Sequence, residues 1–138
     1  MKNAVKLIIF IFVTILFITN PTYSAEKEVI LKTTSTWDNA AYKKLKIKKP
    51  EATVLRIIIN VNEVLPMHKH DLVNIAYVKK GTLTVVTEDN KEITLQEGSV
   101  LPELIGTYHY GKNTGNEPVE LIVFYLGQKG TQLSVNKQ

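Results

Sequence analysis

From residue 50 onward, short apolar runs alternate with polar breaks, and the period inside each run is that of a strand. Ala52 to Val61 carries a dense β-branched and aliphatic run, broken by Asn60, Asn62 and Glu63. A further run extends from His68 through Leu72 to Val78, and Lys80-Gly81 turns it. Thr82–Thr87 and Glu92–Gln96 flank Glu88-Asp89-Asn90-Lys91, the composition and spacing of a hairpin. Glu97-Gly98 turns the chain into Ser99–Ile105, and residues 113–118 read as a loop. Val119–Leu126 is apolar on both faces except at Glu120. No helical periodicity runs through residues 25–138, so the pattern predicts an all-β sandwich or small barrel.

Upstream the signal is thinner. Glu28–Ser35 is rich in strand formers, and Trp37-Asp38-Asn39 reads as a turn, with room for one uncapped helical turn over Asp38–Lys43. Lys44-Leu45-Lys46-Ile47-Lys48 alternates lysine with apolar residues up to Pro50. Either it is an edge strand guarded by lysines or it is a patch for an anionic ligand; the former is the commoner use of such a pattern.

The first 24 residues read differently. Lys2 and Lys6 precede an apolar run from Leu7 to Ile18, which Thr14 alone interrupts, and then a polar break at Thr19-Asn20-Pro21. A basic start, a short apolar core and small residues at Thr22 and Ser24 predict a secretory signal peptide cleaved after Ser24. The core is shorter than the roughly 20 residues of a spanning helix, so no stable membrane insertion is expected after cleavage, and an uncleaved anchor is the lesser alternative. The expected organisation is a signal peptide at 1–24, an N-terminal arm with edge strands at 25–50, and a barrel at 51–138. The expected location is the periplasm or the medium.

Removing the leader leaves 15 basic against 13 acidic residues, a balance of +2 that is not that of a nucleic-acid protein. The absence of cysteine excludes disulfides, zinc–thiolate sites and thiol catalysis together.

The chemistry lies in the histidines. His68 and His70 are one residue apart in an extended segment, so both project from one face, together with Leu72, Asn74, Ala76 and Val78. Two imidazoles on one face make half of a metal site. His109, the third and last histidine, follows the Gly106-Thr107-Tyr108 turn, where folding could bring it to the same ion.

These two segments resemble the cupin family, whose motifs run G-x5-H-x-H-x3,4-E-x6-G and G-x5-P-x-G-x2-H-x3-N. Here the first reads Asn62, His68, His70, Asn74, Gly81 and the second Gly98, Leu104, Gly106, His109, Asn113, with every spacing kept and seven of ten positions matched. The departures are Asn62 for Gly, Asn74 for Glu and Leu104 for Pro. Asn is the residue after glycine that best tolerates a left-handed turn. Asn74 stands where the family carries its one anionic metal ligand.

The resemblance implies a cupin jelly-roll β-barrel (a double-stranded β-helix) with a divalent ion, Fe, Mn, Zn or Ni, on His68, His70 and His109. Asn74 either joins them through its amide oxygen or holds a metal-bound water. Three neutral donors leave the ion's full charge for a bidentate oxygen ligand. The expected function is metal-dependent chemistry on a small oxygenated organic molecule, dioxygenase ahead of isomerase or lyase; the alternative is a non-catalytic binding or sensing module. Glu103 is either a general base with its pKa raised by burial or a surface carboxylate. Tyr77, Tyr108 and Tyr110 are phenols near the motif histidines and more often packing residues than catalysts. The two-faced apolar run at Val119–Leu126 predicts a homodimer.

Overall fold

The protein was analysed as a computed structural model, which describes residues 25–138. The signal peptide expected at residues 1–24 lies outside the described residues. Nine strands form in chain order: β1 (Pro50–Ile59), β2 (His68–Lys69), β3 (Val73–Lys80), β4 (Thr82–Thr87), β5 (Glu92–Gln96), β6 (Val100–Pro102), β7 (His109–Asn113), β8 (Val119–Gln128) and β9 (Val135–Asn136). They make a four-stranded sheet in the order β1-β8-β3-β6 and a five-stranded sheet in the order β5-β4-β7-β2-β9. Every pairing is antiparallel. No helix forms among the described residues. This is the all-β architecture that the strand pattern predicts and the jelly roll that the resemblance implies.

The core lies between the sheets. Ile59, Ala76, Val78, Leu83, Leu101, Val119 and Val123 are all buried, each at an inward position of its strand. On β3 burial alternates residue by residue, and on β7 His109, Gly111 and Asn113 are the buried set. That alternation is the period-two pattern turned into packing.

Turn residues fix the register. Asn62, which stands at a motif glycine, adopts φ 64°, so the left-handed turn is kept without glycine. Gly81 sits at φ 83°, and an added Cβ would lie 3.0 Å from the Pro118 carbonyl oxygen and Val119 Cα. Both conformation and space therefore require glycine there. The β4–β5 hairpin closes over Asn90 at φ 61°, as its composition predicts.

Four local expectations are corrected. The His strand is not continuous: it bends at Asp71–Leu72, so β2 belongs to one sheet and β3 to the other. Leu72 packs down at this corner against Gly127, where a Cβ would meet its side chain at 3.0 Å. Ser99–Ile105 gives only the three-residue β6, because Pro102 has no N–H to continue a ladder. The arm forms no strand at Glu28–Ser35 beyond a bridge between Ser35 and Ala41, and Asp38–Lys43 is not helical. Instead the arm's Val29, Ile30 and Leu31 border a groove on the outer side of the four-stranded sheet, whose other wall is Ile75, Tyr77, Val100, Ile122 and Phe124, and Val29 and Ile30 stay exposed. Lys44–Lys48 is likewise not an edge strand; the Lys48 and Lys49 amides donate to Gln128 Oε1 at 3.0 and 3.1 Å rather than to a neighbouring backbone.

Candidate metal centre

The strand bend and the β2–β7 pairing assemble the three histidines. His68 and His109 are direct cross-strand partners. His70 follows two residues after His68 on the same face, at the mouth of the corner. The three rings are mutually close, with centroids 4.8 to 5.1 Å apart. Their ligating nitrogens all lie within 4.8 Å of one another. His70 and His109 are buried, and His68 is half-buried.

The tautomer of each ring is dictated by its neighbours. His68 Nδ1 lies 2.7 Å from the Pro66 carbonyl, His70 Nδ1 2.6 Å from that of Leu133, and His109 Nδ1 2.9 Å from that of Thr107. A carbonyl oxygen can only accept, so each Nδ1 must carry the proton. Each neutral ring then presents a bare Nε2 lone pair to the interior. Backbone acceptors holding the outer nitrogen of a ligating histidine are the usual support of a metal site. His109 Nε2 is buried and without a hydrogen-bond partner among the described residues. A three-imidazole donor set of this kind fits a divalent first-row ion.

Glu103 is the fourth polar group of the site. It follows β6 and its carboxylate is buried, with Oε2 3.2 Å from His109 Nε2. The approach lacks hydrogen-bond alignment, and both atoms remain without a hydrogen-bond partner. Burial pushes the Glu103 pKa up, as expected from sequence, but contact with His109 and the charges of the three rings outweigh it, and the net direction is down. For His109 burial acts to lower the pKa, yet the Glu103 carboxylate carries it above the usual imidazole value. Burial lowers the pKa of His68 and of His70 despite the nearby carboxylate, so both favour the neutral, ligating form. The shifts on Glu103 and His109 mean that a proton and a metal ion compete for the same nitrogen.

The cavity at the site encloses about 50 Å³. The histidines, Glu103 and Tyr125 form its polar part, and Ile57, Leu65, Leu83, Val85, Leu121 and Val123 form an aliphatic floor. Gly111 completes it; a Cβ there would come within 3.2 Å of Leu83 Cδ1 and so point into this space.

Of the other candidate residues, Asn74 is fully buried on β3 but does not line the cavity, and neither its amide oxygen nor its nitrogen has a hydrogen-bond partner. The sequence-predicted tyrosines lie elsewhere. Tyr77 faces the outer groove beneath the arm, and Tyr108 lies beneath the ammonium groups of Lys69 and Lys137 at 5.8 and 5.6 Å. The phenol that does reach the cavity is Tyr125, opposite Asn74 in the β3–β8 register and 5.9 Å from the His70 ring. Its pKa is pushed up to about 12, by burial first and then by the Glu103 charge, so it stays a proton donor. Because β8 is apolar on both faces, periodicity gives no sign of which side Tyr125 takes. Its being the one inward residue of β8 with a polar tip is the only signal the sequence offers.

Comparison with known proteins bears on this geometry. Residues 55–125, just over half of the chain, match the cupin domain family, and the chain belongs to that family. Among solved structures it is similar to a cupin-like protein from Thermotoga maritima, at 15% identity and a TM-score of 0.56, over 62% of this chain and 64% of that one. It is similar to the DMSP lyase DddQ from Ruegeria pomeroyi at 17% identity and a TM-score of 0.55, over 62% and 43% of the two chains. It is also similar to oxalate oxidase in complex with the substrate analogue glycolate, at 22% identity and a TM-score of 0.53, over 62% and 45%. The match spans less than two thirds of each of those chains, and at these identities the likeness is one of fold. No curated protein matches the sequence.

Proposed function

We propose that this cupin holds one divalent ion, Fe, Mn, Zn or Ni, on His68, His70 and His109 and carries out metal-dependent chemistry on a small oxygenated organic molecule. Dioxygenation is placed ahead of isomerase or lyase chemistry. The observation that carries the reading is the tautomer set: three carbonyls take the three Nδ1 protons and leave three Nε2 lone pairs converging in one cavity. Such an ion would supply Lewis-acid or redox chemistry to a ligand bound through oxygen.

The chain's own residues then have distinct tasks. The three imidazoles orient the ion, and the carbonyls of Pro66, Leu133 and Thr107 lock the rings. The Tyr125 hydroxyl can donate a hydrogen bond to an oxygen in the cavity. The aliphatic floor takes the carbon part of the ligand and excludes water. About 50 Å³ admits only a few heavy atoms beside the ion, and no lysine or arginine lines the cavity, so the ion is the charge that draws an anionic group there. Compact bidentate molecules, such as small diketones, hydroxy acids or dicarboxylates, fit these terms. Solved structures of similar fold include proteins named as an oxidase and a lyase of small molecules.

The protein is further proposed to act outside the cytoplasm after removal of residues 1–24, and to pair as a homodimer. The test of function is turnover by metal-loaded protein against a panel of diketones, aromatic diols and small organic acids. Turnover lost in His109→Ala supports the enzyme reading. Tight binding of one of these compounds without turnover would overturn it in favour of a sensing module.

A further inference from the structure

Glu103 and Asn74 are joined by backbone: the Glu103 amide donates to the Asn74 carbonyl at 3.1 Å, continuing the register in which Ile75 pairs with Pro102. The residue that departs from the family motif and the buried acid of the site are thus neighbours across one strand pair. We propose that the anionic ligand of the ion has crossed that pair, so that Glu103 coordinates the metal and Asn74 is neutral because the acid stands opposite it. The inference rests on the three-histidine reading above and deepens it.

Three observations support the exchange. First, Glu103 lines the same cavity as the three histidines, whereas Asn74 does not. Second, Glu103 is buried with no lysine or arginine partner among the described residues; its sole ionic neighbour is His109. A buried carboxylate without a cation is costly, and the costs are met when an ion shares its pocket. Third, Oε2 of Glu103 and Nε2 of His109 face each other at 3.2 Å with no hydrogen bond between them. Two lone-pair donors at that separation repel unless a proton or a metal cation lies against both. Donors about 2.1 Å from one ion, on adjacent tetrahedral or octahedral positions, stand about 3.0–3.4 Å apart. The observed spacing falls within that interval.

The placement also accounts for residue 74. Asn74 is fully buried and its carbonyl accepts from the Glu103 amide, so a glutamate there would bury a second carboxylate close to the first, and like charges so close disfavour joint ionisation. Moving the acid by one strand instead keeps three imidazoles and one carboxylate, with the acid approaching from the side of His109.

The test is titration of the purified, metal-free protein with Co²⁺, followed by calorimetry and by the visible absorption of the bound ion, for wild type, Glu103→Gln, Glu103→Asp and His109→Ala. Glu103→Gln should bind Co²⁺ at least about tenfold more weakly, since even supporting groups cost about 10–100-fold. Its bound-ion spectrum should shift. Glu103→Asp keeps the charge on a shorter arm and should retain binding with an altered spectrum, which serves if the glutamine variant fails to fold. Wild-type affinity and an unchanged spectrum in Glu103→Gln, alongside lost binding in His109→Ala, would overturn the inference and leave the three-histidine site standing. Undiminished binding in His109→Ala would instead bring down the three-histidine reading itself.

Discussion

Asn113 shows how a motif residue can serve the fold and not the chemistry. It is buried at the end of β7; its amide donates to the Ile59 and Glu117 carbonyls at 3.0 and 2.8 Å, while its carbonyl accepts from the Gly115 amide at 2.9 Å. Asn113→Ala leaves these backbone groups unpaired and should lower stability by about 1–3 kcal/mol in denaturant unfolding, with metal affinity in the surviving folded protein unchanged. Asn74→Ala should leave Co²⁺ affinity within about threefold of wild type, because residue 74 lies outside the cavity; a larger loss would place it among the ligands.

On the outer face Glu120 lies between Arg56 and Lys79, at 2.7 and 2.8 Å. Its hydrogen bond with Arg56, then that with Lys79, hold its pKa at about 2. A depressed carboxylate pKa contributes stability above the unfolded value and loses it as pH falls through the folded one. The stability difference between wild type and Glu120→Gln should therefore be constant at neutral pH and shrink between about pH 4.5 and pH 2, measured by urea unfolding across that range. Residue identities of this kind are legible in the sequence only in part. The motif spacing marks the three histidines, but the carbonyl partners that set their tautomers and the side of β8 that Tyr125 takes are fixed by pairing between distant segments.

At the scale of elements, the hairpin at 82–96 and the long strands β1 and β8 follow from alternation and turn chemistry, since their apolar residues need one particular face. The strand break at Asp71–Leu72 does not. Burial alternates straight through it from His70 to Val78, so the pattern is the same whether the strand stays in one sheet or turns a corner. The C-terminal segment is the least legible element and the one with most influence on the site. β9 pairs with β2 at His68 and Lys69, and the Leu133 carbonyl fixes His70. A chain ending at Gly130 loses both supports while keeping the long strands. It should fold with the far-ultraviolet spectrum of a β protein and bind Co²⁺ about 10–100-fold more weakly. Full affinity in the shortened chain would show that His70 needs no help from the tail. The arm is the opposite case: its strand-forming composition at Glu28–Ser35 gives no ladder, and Val29 and Ile30 stay exposed beside an apolar groove.

For the whole molecule, the outer side of the four-stranded sheet is more apolar than a solvent face requires. Val54, Ile58, Phe124 and Leu126 are 55%, 43%, 51% and 42% exposed, and the arm covers only the part nearer β6. A second copy is the proposed cover. Light scattering should give twice the chain mass at micromolar concentration for wild type and the single mass for Phe124→Glu; a single mass for wild type would remove the dimer. The cupin fold is legible through the family resemblance, which the kept spacings and seven matched motif positions carry; the alternation of apolar and polar residues reaches only an all-β sandwich or small barrel. What the spacing cannot carry is the buried carboxylate beside the histidines, since Glu103 lies across the strand pair from residue 74. If the three histidines form a metal centre, elemental analysis of the protein isolated from its natural compartment will find the ion. Close to one Fe, Mn, Zn or Ni ion per chain is expected, lost in the triple variant His68→Ala, His70→Ala, His109→Ala. Folded native protein with no bound ion, or with the same ion content in that variant, would contradict it.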